Sequence, residues 1–198
     1  MKRASLKTAA WTVAIFLFNL WVARRLLWIE YLDQMASIEG ARIALARWIL
    51  ENWRDLSWFP LWYGGIPFEN SYPPLFHAIV AGMAALAGWT VAHAYHIAAA
   101  LFYAMGPVAL FWLVLRVSAN RTSAAAAALF YSLVSPASFL AHGGSLRFLR
   151  SLLEPSRLGA LVRSGEGPHV ASLTLLPLAL LALIAALDRR SPAWWLLA

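Results

Sequence analysis

A carboxylate placed just past a long apolar run is the first group in this chain that could do chemistry. It occurs as Tyr31-Leu32-Asp33. At the mouth of a membrane such a group can act as general base toward an acceptor hydroxyl, or hold a divalent cation, Mg or Mn, that bridges a diphosphate. The plain alternative is a carboxylate that marks the end of the run or pairs with Arg24 or Arg25. Further on, Arg163-Ser164-Gly165-Glu166-Gly167-Pro168-His169 places Glu166 and His169 three apart, one face of a helix if a helix forms there. The glycines and Pro168 predict a turn instead, in which the two could still converge on a cation or phosphate. One Glu and one His fall short of the three or four ligands zinc takes. Pro168 also suits the first turn of a following helix.

Arg147, Arg150, Arg157 and Arg163 could hold a lipid diphosphate, because a guanidinium fork matches phosphate oxygens. They fit equally a helix lying on anionic headgroups. Between Leu56 and Leu75 the chain reads LSWFPLWYGGIPFENSYPPL. Glycine and proline there predict a tight loop whose backbone can approach a ligand, with tryptophans seating it at headgroup level. A structural lid without ligand contact is the other reading.

The elements that position these groups are apolar. Hydrophobic residues make up 62% of the chain and charged ones 13%, and the mean hydropathy is +0.65. Soluble domains carry about 25% charged residues, so the excess must face lipid. The net charge of +7 comes from sixteen Lys and Arg that lie mostly in connecting segments, which excludes a nucleic-acid face and fits membrane anchoring. The absence of cysteine excludes disulfides and thiolate metal sites.

Spans are predicted at about 9–28, 97–115, 123–141 and 170–187, and 75–92 either spans or re-enters. Gly82, Gly88 and His77 make 75–92 the weakest of them, and His77 reads as a buried, satisfied histidine. With the basic start at Lys2 and Arg3 in the cytoplasm and 75–92 re-entrant, Arg116, Arg121, Arg189 and Arg190 fall inside and 142–169 becomes an external loop. The segment 29–74 is the first external loop, with a surface helix at 34–54 whose Ile38, Leu45 and Ile49 lie opposite Glu39, Arg42 and Arg54. The last residues, 191–198, read as the start of another apolar segment, so the chain is expected to be the N-terminal part of a longer one.

Asp33, then Trp58-x-Pro60-x-x-x-x-Gly65-x-Pro67, then Tyr72-Pro73-Pro74-Leu75 resemble, in order and spacing, the integral-membrane glycosyltransferases of the GT-C superfamily. The chain is most similar to bacterial membrane proteins that carry the label 6-pyruvoyl-tetrahydropterin synthase-related, a label silent about their chemistry. The resemblance is specific over 29–76 and loose elsewhere. It implies an all-α polytopic helix bundle in the inner membrane that transfers a sugar from a polyprenyl-phosphate donor to an extracytoplasmic acceptor. Asp33 matches the catalytic acidic position and its metal, with Glu39 as a second acidic group. Trp58, Tyr63, Asn70, Tyr72, Arg147, Arg150, Glu166 and His169 are the implied substrate contacts. The paired Asp-Glu of some relatives is missing, and the later loop offers Glu154 and Glu166 but no Asp-x-Asp. The implied partners are the bilayer and the lipid-linked sugar, while nothing fixes the oligomeric state. The rival reading is a non-catalytic transporter or scaffold for lipid or polysaccharide assembly, which intramembrane charge would favour.

Overall fold

A computed structural model describes residues 2–31, 37–71, 74–134, 156–189 and 197. The fold is all-α. Helix α1 (Lys2–Val22) runs into a 3-10 turn at Arg24–Leu27; α2 (Glu39–Glu51) follows. A small hairpin pairs β1 (Trp58–Phe59) with β2 (Ile66–Pro67), antiparallel, Trp58 opposite Pro67. Then come α3 (Leu75–Ala87), α4 (Val91–Ser118), α5 (Arg121–Leu133), α6 (Ser156–Ser164) and α7 (Gly167–Arg189). Of these, α4 and α7 are long and apolar enough to cross a membrane.

Helix α4 is the hub, in contact with α1, α2, α3, α5, α6 and α7. Its buried face is mostly small: Ala92, Ala94, Ala98, Ala99, Ala100, Ala104 and Ala109, with Tyr95, Tyr103 and Phe111 filling the gaps. Small residues let helix backbones approach, the usual basis of packing where lipid removes the hydrophobic drive between helices. Thr90 caps α4 by accepting from the His93 N–H (3.2 Å), and Gly88, left-handed at φ 67°, turns the chain out of α3 just before it.

Helix ends are sorted by hydrogen bonds. At one end Arg121 Nε donates to Thr8 Oγ1 (3.0 Å) and Arg116 pairs with Asp188, so the starts of α1 and α5 lie with the ends of α4 and α7. At the other, Thr90 Oγ1 donates to Glu30 (3.2 Å), Ile38 N–H to the Ser164 carbonyl (3.4 Å) and the Tyr95 hydroxyl to the Gly165 carbonyl (3.0 Å). Thirteen residues of α3 span about 20 Å at 1.5 Å per residue, short of the ~30 Å hydrocarbon core. Its start packs near the same end, Phe76 against Tyr95 (5.5 Å) and Phe102 (5.8 Å). His77 beside it is fully buried.

Within the bundle, the buried Asn19 amide donates to the Ile15 carbonyl (2.9 Å) and to Ser132 Oγ of α5 (2.9 Å), whose hydroxyl donates to the Ala128 carbonyl (2.7 Å).

Two expectations need correction. Helix α2 is not a surface helix with its charges outward: Glu39 and Arg42 are buried together with Ile43, Leu45, Ala46, Trp48 and Ile49. A partner on α4, described below, makes that burial tolerable. The helix that the arginines of 142–169 allowed is present as α6, but it packs into the bundle rather than lying on a surface: Arg157 is buried and Leu161 enters the core around Tyr95, Ala98 and Tyr103. For the span expected at 123–141, α5 accounts for residues up to Leu133, and 135–141 lie outside the described residues.

The hairpin accounts for much of the Trp-Pro-Gly-Pro pattern. Phe59 and Phe68 close on Trp48 of α2, ring centres 5.2 and 5.1 Å away. Ser57 N–H donates to Asp55 Oδ1 (3.0 Å), and Ser57 holds the Asp55 carboxyl below its usual range. Gly65 sits at φ +111° beneath the Trp58 indole, so a Cβ there would meet ring carbons at 2.7 Å. Gly64 is also left-handed but has open space. Gly65→Ala should therefore cost about 1–3 kcal/mol and Gly64→Ala less. Thermal unfolding and protease cutting between residues 58 and 67 would show it; equal effects of the two changes would refute the packing account.

Candidate functional site

The first turn of α2 carries Glu39, an acidic candidate that is buried in the bundle. Ile38 enters the helix, and Ser37 Oγ accepts from the Glu39 N–H (3.2 Å). The Glu39 side chain turns inward, placing Oε1 3.2 Å from Nε2 of His96 on α4, with side-chain exposures of 7% and 1%. That is ion-pair distance, off the line of an ideal hydrogen bond. His96 Nδ1 lies 2.9 Å from the Ala92 carbonyl, an acceptor only, so Nδ1 carries a proton. Nε2 and the carboxylate thus face each other as a buried polar pair, which makes the burial of either tolerable. The start of α2 also favours negative charge through its helix dipole.

The couple is closed in. Gly165, at φ +70°, presses on the start of α2 so tightly that a Cβ would stand 2.5 Å from the Glu39 nitrogen and 2.6 Å from Ser37 Oγ. Tyr95 stacks edge-on to His96 (5.6 Å) while its hydroxyl holds the Gly165 carbonyl. Arg42, one turn after Glu39, is buried on the same side. Three segments distant in sequence, 37–42, 95–96 and 164–166, thus meet around one carboxylate.

Other predicted site residues are distributed differently. Glu166 precedes α7 and pairs with His169 in its first turn, so the segment opens a helix and the two side chains engage each other. Trp58, Tyr63 and Asn70 are exposed on or beside the hairpin. Tyr63 takes a left-handed backbone (φ 52°), unusual for a side-chain-bearing residue, and stacks on Trp62 (5.8 Å). The hairpin packs on Leu45, Trp48 and Ile49, about 10 Å along α2 from Glu39. It therefore forms a surface separate from the Glu39–His96 couple. Asp33, Tyr72, Arg147 and Arg150 lie outside the described residues. Among the described residues no three His, Asp or Glu groups converge to hold a metal ion, since Glu39 and Glu166 are each engaged by a histidine.

His96 and Tyr95 escaped the sequence reading, which left 93–96 between the segments 75–92 and 97–115. The available signal was an ionisable ring one helical turn inside an otherwise apolar helix.

Comparison with protein-family profiles, with curated protein sequences and with solved structures gives no match.

Removing one member of a buried pair strands the other, at about 3–5 kcal/mol. Glu39→Ala and His96→Ala should each destabilise the chain by that order in detergent, and the double variant by clearly less than their sum. Additive losses in thermal or denaturant unfolding would show that the two groups are not coupled.

Proposed function

We propose that this chain is a membrane glycosyltransferase module that takes a sugar from a polyprenyl-phosphate donor. The observation that carries the reading is the buried Glu39–His96 couple, which fixes the start of α2, a few residues after Asp33 in sequence, to the central helix. In the proposed step an acceptor hydroxyl attacks the anomeric carbon. Its proton passes to Asp33, the bond from that carbon to the phosphate oxygen breaks, and polyprenyl phosphate departs. Glu39 is engaged by His96, so its part is to hold the end of the segment that carries Asp33 rather than to touch substrate. A divalent cation, Mg or Mn, belongs to the proposal only at Asp33, and no step depends on it here.

The proposed orientation puts the N-terminus in the cytoplasm of a bacterial inner membrane, with the hairpin outside. The sorting of helix ends supports it, because Arg116 and Arg121 share an end with Thr8. The chain lacks cysteine, so single replacements can report sidedness. Ser57→Cys and Ser164→Cys should react with an impermeant maleimide on intact cells, and Ser118→Cys only after permeabilisation. The opposite pattern would overturn the orientation.

For the chemistry, Asp33→Asn should lower transfer from a polyprenyl-phosphate sugar in membranes by about 100-fold or more. Glu39→Gln should lower it less and reduce thermal stability as well. Transfer by Asp33→Asn at the parental rate would sink the catalytic assignment.

One observation favours the second reading, a lipid or polysaccharide transporter. Arg157 is a buried cation set against the middle of α4, and charge at membrane depth often marks a transport path. Movement of a lipid-linked sugar across vesicles without transfer would select that reading.

A further inference from the structure

Arg157 stands in the first turn of α6 and is 8% exposed. Its position follows from two neighbours on α4. Pro107 has no N–H, so the Tyr103 carbonyl four residues before it loses its helical donor. Arg157 Nη2 supplies the missing bond, at 2.9 Å. Gly106 leaves the room: a Cβ there would stand 2.6 Å from Nη2 and 3.0 Å from Thr174 Oγ1. The guanidinium lies over the rings of Tyr103 (4.5 Å) and Tyr131 (4.2 Å), the latter on α5.

The Tyr131 side chain is also a hydrogen-bond partner of the guanidinium, yet these contacts do not satisfy all of its donors. Among the described residues Arg157 Nε and Nη1 have no hydrogen-bond partner, nor does the Tyr103 hydroxyl, and no carboxylate pairs with Arg157. Buried charges are ordinarily paired, because an isolated one carries a large desolvation cost. Helix α6 adds to the excess. It begins beside Tyr103 and Gly106, thirteen to sixteen residues into α4 counting from its first residue Val91, and its other end, at Ser164, reaches the level of Glu39. It is therefore a half-depth helix whose positive N-terminal end and cation share one place inside the bundle.

We propose that the start of α6, with Arg157, Tyr103 and Tyr131, is an intramembrane binding site for the phosphate of a lipid. An oxyanion with several oxygens accepts from both free guanidinium nitrogens and from a tyrosine hydroxyl at once. The hydrocarbon tail of a lipid suits the apolar helices around it. The site stands on burial and missing partners alone and does not require sugar transfer, so a lipid carrier and a bilayer phospholipid share the same chemistry here.

The full chain is purified in dodecyl maltoside, which has no phosphate. Undecaprenyl phosphate, undecaprenol and phosphatidylglycerol are then added separately, and binding is followed by native mass spectrometry and by the thermal midpoint. Undecaprenyl phosphate should bind and raise the midpoint where undecaprenol does not. Arg157→Gln and Arg157→Met should weaken phosphate-lipid binding about 10- to 100-fold and erase that preference. Both variants should keep the parental helical content, since each removes a charge that no described carboxylate neutralises and loses only the bonds to the Tyr103 carbonyl and to Tyr131. An equal response to phosphatidylglycerol identifies any lipid phosphate as the ligand, and a smaller one identifies the polyprenyl carrier. Absence of a phosphate preference in the parent, or its survival in both variants, overturns the site. Loss of the fold in both would also overturn it, by showing that the protein itself satisfies the guanidinium.

Discussion

The close approach of helices to the alanine face of α4 is the constraint on which the rest depends. With Ala98, Ala99, Ala100 and Ala104 buried against neighbours, several backbones reach one helix without a thick layer of side chains between them. That closeness makes short polar contacts possible inside the bundle. His96 meets Glu39, and Arg157 meets a backbone carbonyl, because nothing larger keeps α2 and α6 away. Larger residues at these alanines would push the same groups apart and leave each buried without its neighbour.

The polar sites are correspondingly placed where the helix pattern is interrupted. Pro107 frees an acceptor beside Gly106, and Gly165 lets the link between α6 and α7 touch the start of α2. The exposed aromatic residues of the hairpin belong to another region, fixed by Trp48, Phe59 and Phe68 and facing outward. Loop and bundle are joined at Glu39, where α2 brings a carboxylate against His96 of α4.

The sequence makes the apolar helices legible because composition carries that information: α4 and α7 contain the runs 97–115 and 170–187, although α4 begins six residues earlier, at Val91. The hairpin was visible as a glycine and proline cluster, since backbone freedom and its absence are local properties. The burial of Glu39 and Arg42 was hidden. Helical periodicity reports which residues are polar, whereas tolerance of a buried carboxylate depends on a histidine 57 positions away, 96 minus 39. Arg157 appeared as one of four equivalent arginines, and its place depends on a carbonyl that Pro107, fifty residues away, leaves without a donor. A helix around Arg157 and Arg163 was one of the readings, but its packing into the bundle was hidden because it rests on contacts with distant segments.

The clasp between Asn19 and Ser132 has a consequence for assembly. An amide in an apolar bundle has few places to go, and a slip of α1 by one residue would swing it by about 100° into surroundings with no acceptor or donor. Leucines and alanines alone would let α1 and α5 slide and rotate with little penalty. Asn19 therefore acts as an index mark in the apolar stretch beyond the Arg121–Thr8 bond, and together they give α1 and α5 one angular setting and one height at which they can stop.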